Sequence, residues 1–429
     1  MTDVSPIAIV SSDGHATARM PDYRPYLHQA FHAEFDAFVG EYARLGSRTV
    51  DAKSLLQRTD DAIVQQWQEE MLESGRIEGY HDPDRRLKEL DAEGIAAEVI
   101  FPDFNIPFVM FSPHLAATLG APVPSPVQLT AAYSAYNRWV ADFCTVAPER
   151  FGAMALVDFD DVDAAIAEVT WAKDAGFRGV VLPTFRDDAP LFDARFDPLW
   201  HALSDLELPV NCHVALTGVT APAMGPPSSL PHPTAGFPIF SASLFFVVRQ
   251  VLAHMIWGGV LERHPRLQVV FTETGSGWVV PELSQLDYTY EGSYLRQDIR
   301  DVIPLRPSEY FERQCHIGSS ILSRAEVESR HTIGVHKMMV GIDYPHHEGA
   351  WNGGTLNYLR ATLGAAGVPE GEARRMLGLT AIGVFGFDAG QVTAVAAEVG
   401  PSPAEILVPG DVDAFPRGDV RKPLVSISG

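Results

Sequence analysis

Asp13 and His15 near the start of the chain, His213 at its middle, Glu273 beyond it, and Asp343, His346 and His347 towards its end are the residues whose types could do chemistry together. Carboxylate oxygens and imidazole nitrogens are donors for divalent zinc, manganese or iron, and a mixed set that leaves coordination positions open is what catalytic metal sites use. The cysteines Cys144, Cys212 and Cys315 are far apart, lack CxxC spacing and sit in apolar segments, which fits small core residues and no disulfides. Each candidate also has an ordinary structural role open to it. Asp13 suits a turn cap with His15 as its partner, His213 a hydrogen-bonded core imidazole, Glu273 the cap of the next helix, and Asp343 an Asx turn onto Tyr344.

What sets these residues apart is that each closes a short, apolar run. Met338-Met339-Val340-Gly341-Ile342-Asp343 reads as a strand with a chemically loaded tip, stopped by Pro345, which withholds a ladder donor and restricts Tyr344. Ile7 to Val10 leads in the same way to Asp13 and His15, Pro209 to Cys212 to His213, and Leu267 to Thr272 to Glu273. Further strands are expected at Ala97–Pro102, Phe151–Val157, Gly179–Pro183 and Gln314–Gly318. Helices are expected over Asp84–Glu93 (closed by Gly94), Ser125–Ala147, Asp161–Ala175 (closed by Gly176), Pro198–Leu206, Ala242–Glu262 and Arg324–Ile333. Eight strands alternating with helices predict an α/β fold, a (β/α)8 TIM barrel, whose C-terminal strand ends converge on one mouth and so bring distant residues together.

The barrel domain is expected over residues 1–388. A broken, polar insertion occupies about 24–84, with an acid-rich helical part from Asp60 to Glu73, and a proline-rich lid loop spans about 216–239; residues 389–429 form a proline-rich acidic tail. His346 and His347 lie just past Asp343 and are candidates for metal, substrate or orienting roles. His316 falls inside the seventh strand; His254 on an apolar helix and His264 before Pro265 suit structural roles. Gly275-Ser276-Gly277 could receive an anion on its N–H groups or be a plain turn. Tyr23, Trp257, Trp278 and the lid loop could wall an aromatic or acyl substrate, or simply pack.

The net charge of −23 at pH 7, from 55 acids against 32 Lys and Arg, repels phosphate backbones and anionic lipid, so neither nucleic acid nor a membrane is an expected partner. No apolar run reaches the roughly 18 residues needed to cross a bilayer, and residues 1–10 lack the features of a secretory signal. A soluble, cytoplasmic protein is expected.

The chain resembles the amidohydrolase superfamily, in the family 2 branch that includes aminocarboxymuconate-semialdehyde and resorcylate decarboxylases. The resemblance rests on Asp13-Gly14-His15, Asp91-Ala92-Glu93-Gly94-Ile95, Tyr136-Asn137-Arg138-Trp139, Pro148-Glu149-Arg150-Phe151 and Gly176-Phe177-Arg178-Gly179. It continues through Gly258-Gly259-Val260-Leu261-Glu262-Arg263-His264-Pro265, Pro307-Ser308-Glu309-Tyr310-Phe311 and Gly341-Ile342-Asp343-Tyr344-Pro345-His346. It implies His15, His213 and Asp343 as metal ligands, with Asp13 completing the site in a D-x-H variant of the more common H-x-H opening. The branch's decarboxylases carry a histidine where this chain has Glu273.

Three functions follow as expectations. The first is metal-dependent hydrolysis or decarboxylation of a small organic acid, amide or ester, with Asp343, Glu273 and His346 catalytic and Asp13, His15, His213, Glu273, Asp343 and His347 as the ligand pool for one or two ions. The second, implied by oxygenases similar to this superfamily, is hydroxylation by a dinuclear non-haem iron site. The third is a non-catalytic partner subunit. A homodimer or higher oligomer is expected from the tail and from the habits of the branch.

Overall fold

The computed structural model describes residues 5–49, 65–103, 105–109, 123–183, 188–214, 216–217, 236–292, 297–346, 349 and 354–410. Eight parallel strands lie in chain order: β1 (Ile9–Ser11), β2 (Ile95–Ile100), β3 (Phe151–Leu156), β4 (Gly179–Val181), β5 (Val210–His213), β6 (Val269–Thr272), β7 (Cys315–Ser320) and β8 (Met338–Gly341). Every residue of β2, β3, β5, β6 and β8 is buried, which is why these strands read as largely apolar runs and not as alternating ones. The seam between β8 and β1 is joined by Ser12 N–H to Val340 O (2.9 Å), Asp343 N–H to Asp13 O (3.1 Å) and His15 N–H to Tyr344 O (2.7 Å). The result is the (β/α)8 barrel that the spacing predicts.

The helices between strands start where the sequence supplies caps. Asp82 accepts from the N–H groups of Asp84 and Arg85 to open Pro83–Ala92, Ser125 and Gln128 form a capping box for Pro126–Cys144, and Asp161 caps Val162–Asp174. Each such cap stabilises its helix by about 1 kcal/mol.

Three details differ from expectation. The helix after the lid loop begins at Gly236, inside the stretch expected to be irregular; Pro238 is tolerated because first-turn N–H groups lack helical partners. That helix stops at Trp257, and Gly258 with the left-handed Gly259 (φ 71°) separates it from Val260–Arg263. Strand β8 ends at Gly341, two residues before Asp343, so the catalytic candidate stands on the turn beyond the ladder.

The remainder of the lid loop from 218 to 235 lies outside the described residues. In the insertion, the helix His32–Thr49 is followed by helical turns at Gln68–Glu73 and Arg76–Tyr80, which leads directly into Pro83–Ala92; residues 60–64 lie outside the description. Residues 389–406 hold two helices, Ala389–Val399 and Pro403–Ile406, the first packed against β2, and Ile7 donates its N–H to Pro401 O at 2.8 Å. No helix among the described residues is long and apolar enough to cross a membrane.

Candidate metal centre

The first turn of the site follows β1. Asp13 and His15 are fully or almost fully buried, and His15 donates from Nδ1 to the carbonyl of Pro102 at 2.9 Å. A carbonyl only accepts, so Nδ1 carries the proton and the lone pair of Nε2 points into the mouth. The same logic holds at the end of β5, where His213 Nδ1 donates to Val214 O at 2.7 Å and Nε2 is left facing Asp13. Phe101 walls this side, its ring centroid 4.5 Å from that of His213.

Glu273 and Asp343 follow β6 and β8, and both adopt left-handed backbone conformations, with φ of 56° and 58°. Residues with a Cβ seldom hold that conformation, and it costs on the order of 1–3 kcal/mol at each position. Two acids that carry the same strain at the same end of the barrel mark a place where side-chain direction takes precedence over backbone comfort.

The donors fall into two groups that share His15: Asp13, His15, His213 and Glu273, and then His15, Asp343 and His346, with the donor atoms of each group within 4.8 Å of one another. His213 Nε2 lies 3.3 Å and His15 Nε2 3.7 Å from Asp13 Oδ1, His15 Nε2 lies 3.3 Å from Asp343 Oδ1, and His346 Nδ1 lies 3.0 Å from Asp343 Oδ1. An ion about 2.1 Å from each ligand spaces adjacent ligand atoms by roughly 3.0–3.4 Å, close to these separations. Both oxygens of Asp343 and Nε2 of His15 are buried without a well-directed hydrogen bond, as metal ligands are before the ion is considered.

The electrostatics agree with that fit. Burial alone would push Asp343 up, yet the His346 and His15 imidazoles hold its carboxyl well below the usual carboxylate range. Burial would push His346 down, but Asp343 and Asp103 raise it well above the ordinary histidine value. Carboxylates held ionised, with the His346 imidazole raised by them, mark a field that favours positive charge at the centre. Glu273 and His346 are the more open members, with side chains 22% and 27% exposed, against 2% or less for Asp13, His15, His213 and Asp343.

Several residues around these donors escaped the sequence reading. The hydroxyl of Ser320, at the end of β7, donates to Asp13 Oδ2. Asp103, just after β2, receives the hydroxyl of Tyr80 and lies 3.3 Å from His346 Nε2. Arg86 is wholly buried, donates to Glu98 Oε2 (2.8 Å) and to the backbone carbonyl of His15 (2.9 Å), and stacks its guanidinium 4.0 Å from the ring centre of Tyr344. Burial pushes the Glu98 carboxyl up against the pull of Arg86. Asp103 and Ser320 end strands as Glu273 does, so the same positional rule could have found them. A buried arginine inside an amphipathic helix gives no such signal.

Other sequence candidates fall elsewhere. His316 Nε2 pairs with Gln268 at 3.2 Å, near the N-terminal ends of β6 and β7 and away from the mouth, and burial pushes its imidazole down to about 3. His264 Nε2 lies 3.2 Å from Asp197, a structural pairing, and the ring of His254 meets Phe192 edge-on. The turn at Gly275 does receive an anion on a backbone N–H, but from the chain itself: Glu326 accepts from Ser276 N–H at 2.6 Å. Tyr23 is fully buried with its hydroxyl on Thr17, and Trp278 Nε1 donates to Gly275 O. His347 and Glu348 lie outside the described residues.

The family model for amidohydrolases matches residues 92–387. The gamma-resorcylate decarboxylase of Rhizobium sp. (strain MTP-10005) is 23% identical over 278 residues, covering 61% of this chain and 76% of its own. The barrel is similar to that of an amidohydrolase from Mycobacterium avium subsp. paratuberculosis K-10, with TM-score 0.60 and 19% identity over 88% of this chain and 99% of the other. It is also similar to 5-carboxyvanillate decarboxylase from Novosphingobium aromaticivorans DSM 12444, a structure complexed with manganese and 4-hydroxy-3-methoxy-5-nitrobenzoic acid. There the TM-score is 0.58, with 16% identity over 90% of this chain and 99% of the other. With a family match that runs through β2 to β8 and takes in His213, Glu273 and Asp343, the chain belongs to the amidohydrolase family.

Proposed function

We propose that the protein is a metal-dependent enzyme that hydrolyses or decarboxylates a small organic acid, amide or ester. The observation that carries this reading is the meeting of two donor groups at His15, Asp13 with His213 and Glu273 on one side and Asp343 with His346 on the other, with Asp13, His15, His213 and Asp343 buried. The ligands would come from these two donor groups, with His15 common to both. A divalent ion held there would supply the charge that makes a bound water more acidic and that anchors a substrate carboxylate or carbonyl. The chain's own part is proton movement. Hydrolysis needs a base to take a proton from water and an acid to give one to the leaving group; decarboxylation needs one delivered to the carbon that loses carbon dioxide. Asp343, touching both His15 and His346, is placed to exchange that proton, and Glu273, partly open to solvent, is placed to return it.

Hydroxylated aromatic carboxylates are the first substrates to try, because the relatives' names point to them. The test is a panel of hydroxybenzoates, aryl esters and amides incubated with protein loaded separately with manganese, zinc and iron, followed by NMR. Loss of carboxylate or appearance of hydrolysis products with the metal-loaded protein, absent after chelation, supports the reading; no turnover of any panel member by fully loaded protein counts against it.

One observation favours a second reading. Because His15 belongs to both donor groups, the site offers places for two ions, and its mixed imidazole and carboxylate donors suit iron. Oxygen uptake by anaerobically reconstituted iron protein, absent with zinc, would identify an oxygenase.

A further inference from the structure

We propose that Asp103 is a positioning residue that aims His346 at the metal centre, and that Tyr80 locks Asp103 in place. This rests on the reading of Asp343 and His15 as metal-site residues. Three separate parts of the fold meet here: Tyr80 from the insertion, Asp103 from the turn after β2, and His346 from the turn after β8. His346 Nε2 lies 3.3 Å from Asp103 Oδ2, and its other nitrogen, Nδ1, lies 3.0 Å from Asp343 Oδ1. Asp103 accepts the Nε2 proton, so Nδ1, which shares its proton with Asp343, is the atom the ring would offer to an ion that displaces that proton. This is the carboxylate–histidine arrangement that fixes tautomer and ring angle for imidazoles at metal sites.

The rest of the environment limits the ring to that pose. His346 stacks on His15 with centroids 4.2 Å apart at 29°, so rotation out of plane meets the ring below. Asp103 cannot swing away cheaply, because the hydroxyl of Tyr80, itself only 8% exposed, donates to the same Oδ2. The insertion thereby reaches the chemistry through one hydroxyl, which gives it a role beyond covering the barrel.

The test uses the full chain and the variants Asp103→Ala, Asp103→Asn, Tyr80→Phe, His346→Ala and the double variant Asp103→Ala/His346→Ala. Cobalt(II) titration, followed by visible absorption, reads the site without any substrate. The expected result is a roughly 10- to 100-fold loss of cobalt affinity in Asp103→Ala. Asp103→Asn, which keeps an acceptor for Nε2–H, should recover part of it, and Tyr80→Phe should lose less. The double variant should be no weaker than His346→Ala alone, because Asp103 acts through the imidazole. Wild-type affinity in Asp103→Ala, or full additivity in the double variant, overturns the proposal. A crystal structure of metal-free Asp103→Ala gives the second readout: His346 turned away from Asp343 supports positioning, and an unmoved ring overturns it. Failure of the wild-type protein to bind cobalt at all would refute the metal site instead, and the crystal structure would still decide the role of Asp103.

Discussion

Asp343 donates its backbone N–H to the backbone carbonyl of Asp13 at 3.1 Å, so the two acids that begin and end the barrel are tied together at the seam where their side chains meet His15. The closure of the fold and the assembly of the site are therefore the same event. A barrel whose β8–β1 seam opened would lose the donor cluster at once, and this links stability in that region directly to metal affinity.

Replacing Asp343 by Asn keeps the size and the backbone N–H but removes a charge and one acceptor. Turnover in the Asn variant should fall to background while the far-UV circular dichroism spectrum stays that of the parent. An active Asp343→Asn protein would contradict the role given to this carboxylate.

The buried Arg86–Glu98 pair supports the His15 carbonyl and the Tyr344 ring at the same time. Breaking such a pair leaves one charge uncompensated and costs about 3–5 kcal/mol, whereas replacing both partners with apolar residues is often nearly neutral. Denaturant midpoints should thus be much lower for Arg86→Met than for the double variant Arg86→Met/Glu98→Met. Equal losses in the two would mean that the pair does not act as a unit.

Glu326 accepts from the N–H and hydroxyl groups of both Ser276 and Ser323 and so braces the turn that carries Glu273. Substituting Ala leaves these groups unsatisfied and should destabilise the protein by about 1–3 kcal/mol. Chemical denaturation of Glu326→Ala measures this directly, with Glu326→Gln expected to lose less.

His316 provides a pH test remote from the metal centre. Its folded value, pushed down to about 3 by burial with help from Lys337 and His336, lies below the ordinary 6.5 of the unfolded chain. Between those two values the unfolded state binds the extra proton, so stability falls as the solution is acidified below 6.5 and is fully retained above it. At pH 5 the contribution is about 2 kcal/mol, from 1.36 kcal/mol per pH unit. The stability of His316→Gln, compared with the parent at pH 7 and pH 5, should show a smaller loss on acidification; an identical loss would remove His316 as a cause.

Much of the barrel was legible because most strands are buried on both faces and are therefore rich in apolar residues, and because acids and imidazoles at the ends of such runs have few structural reasons to recur. Asp13, His15, His213, Glu273 and Asp343 were found by that rule, and the structure brings them together. What lay beyond the sequence is pairing across distance. That Arg86 reaches the carbonyl of His15, that Tyr80 holds Asp103, and that the anion on Ser276 is Glu326 depend on three-dimensional neighbours that no local pattern names. The boundaries of the helix from Gly236 were missed for a different reason: proline reads as a breaker, yet it is compatible with a first helical turn.

The most direct measurement is equilibrium dialysis against manganese, with metal content determined by mass spectrometry, on the parent protein and on His15→Ala. His15 belongs to both donor groups, so it is the single substitution that touches every arrangement of ions. At least about one bound equivalent is expected in the parent and little in His15→Ala, with both proteins folded. Less than about 0.2 equivalents in the parent under metal-replete conditions, or full occupancy in His15→Ala, would contradict it.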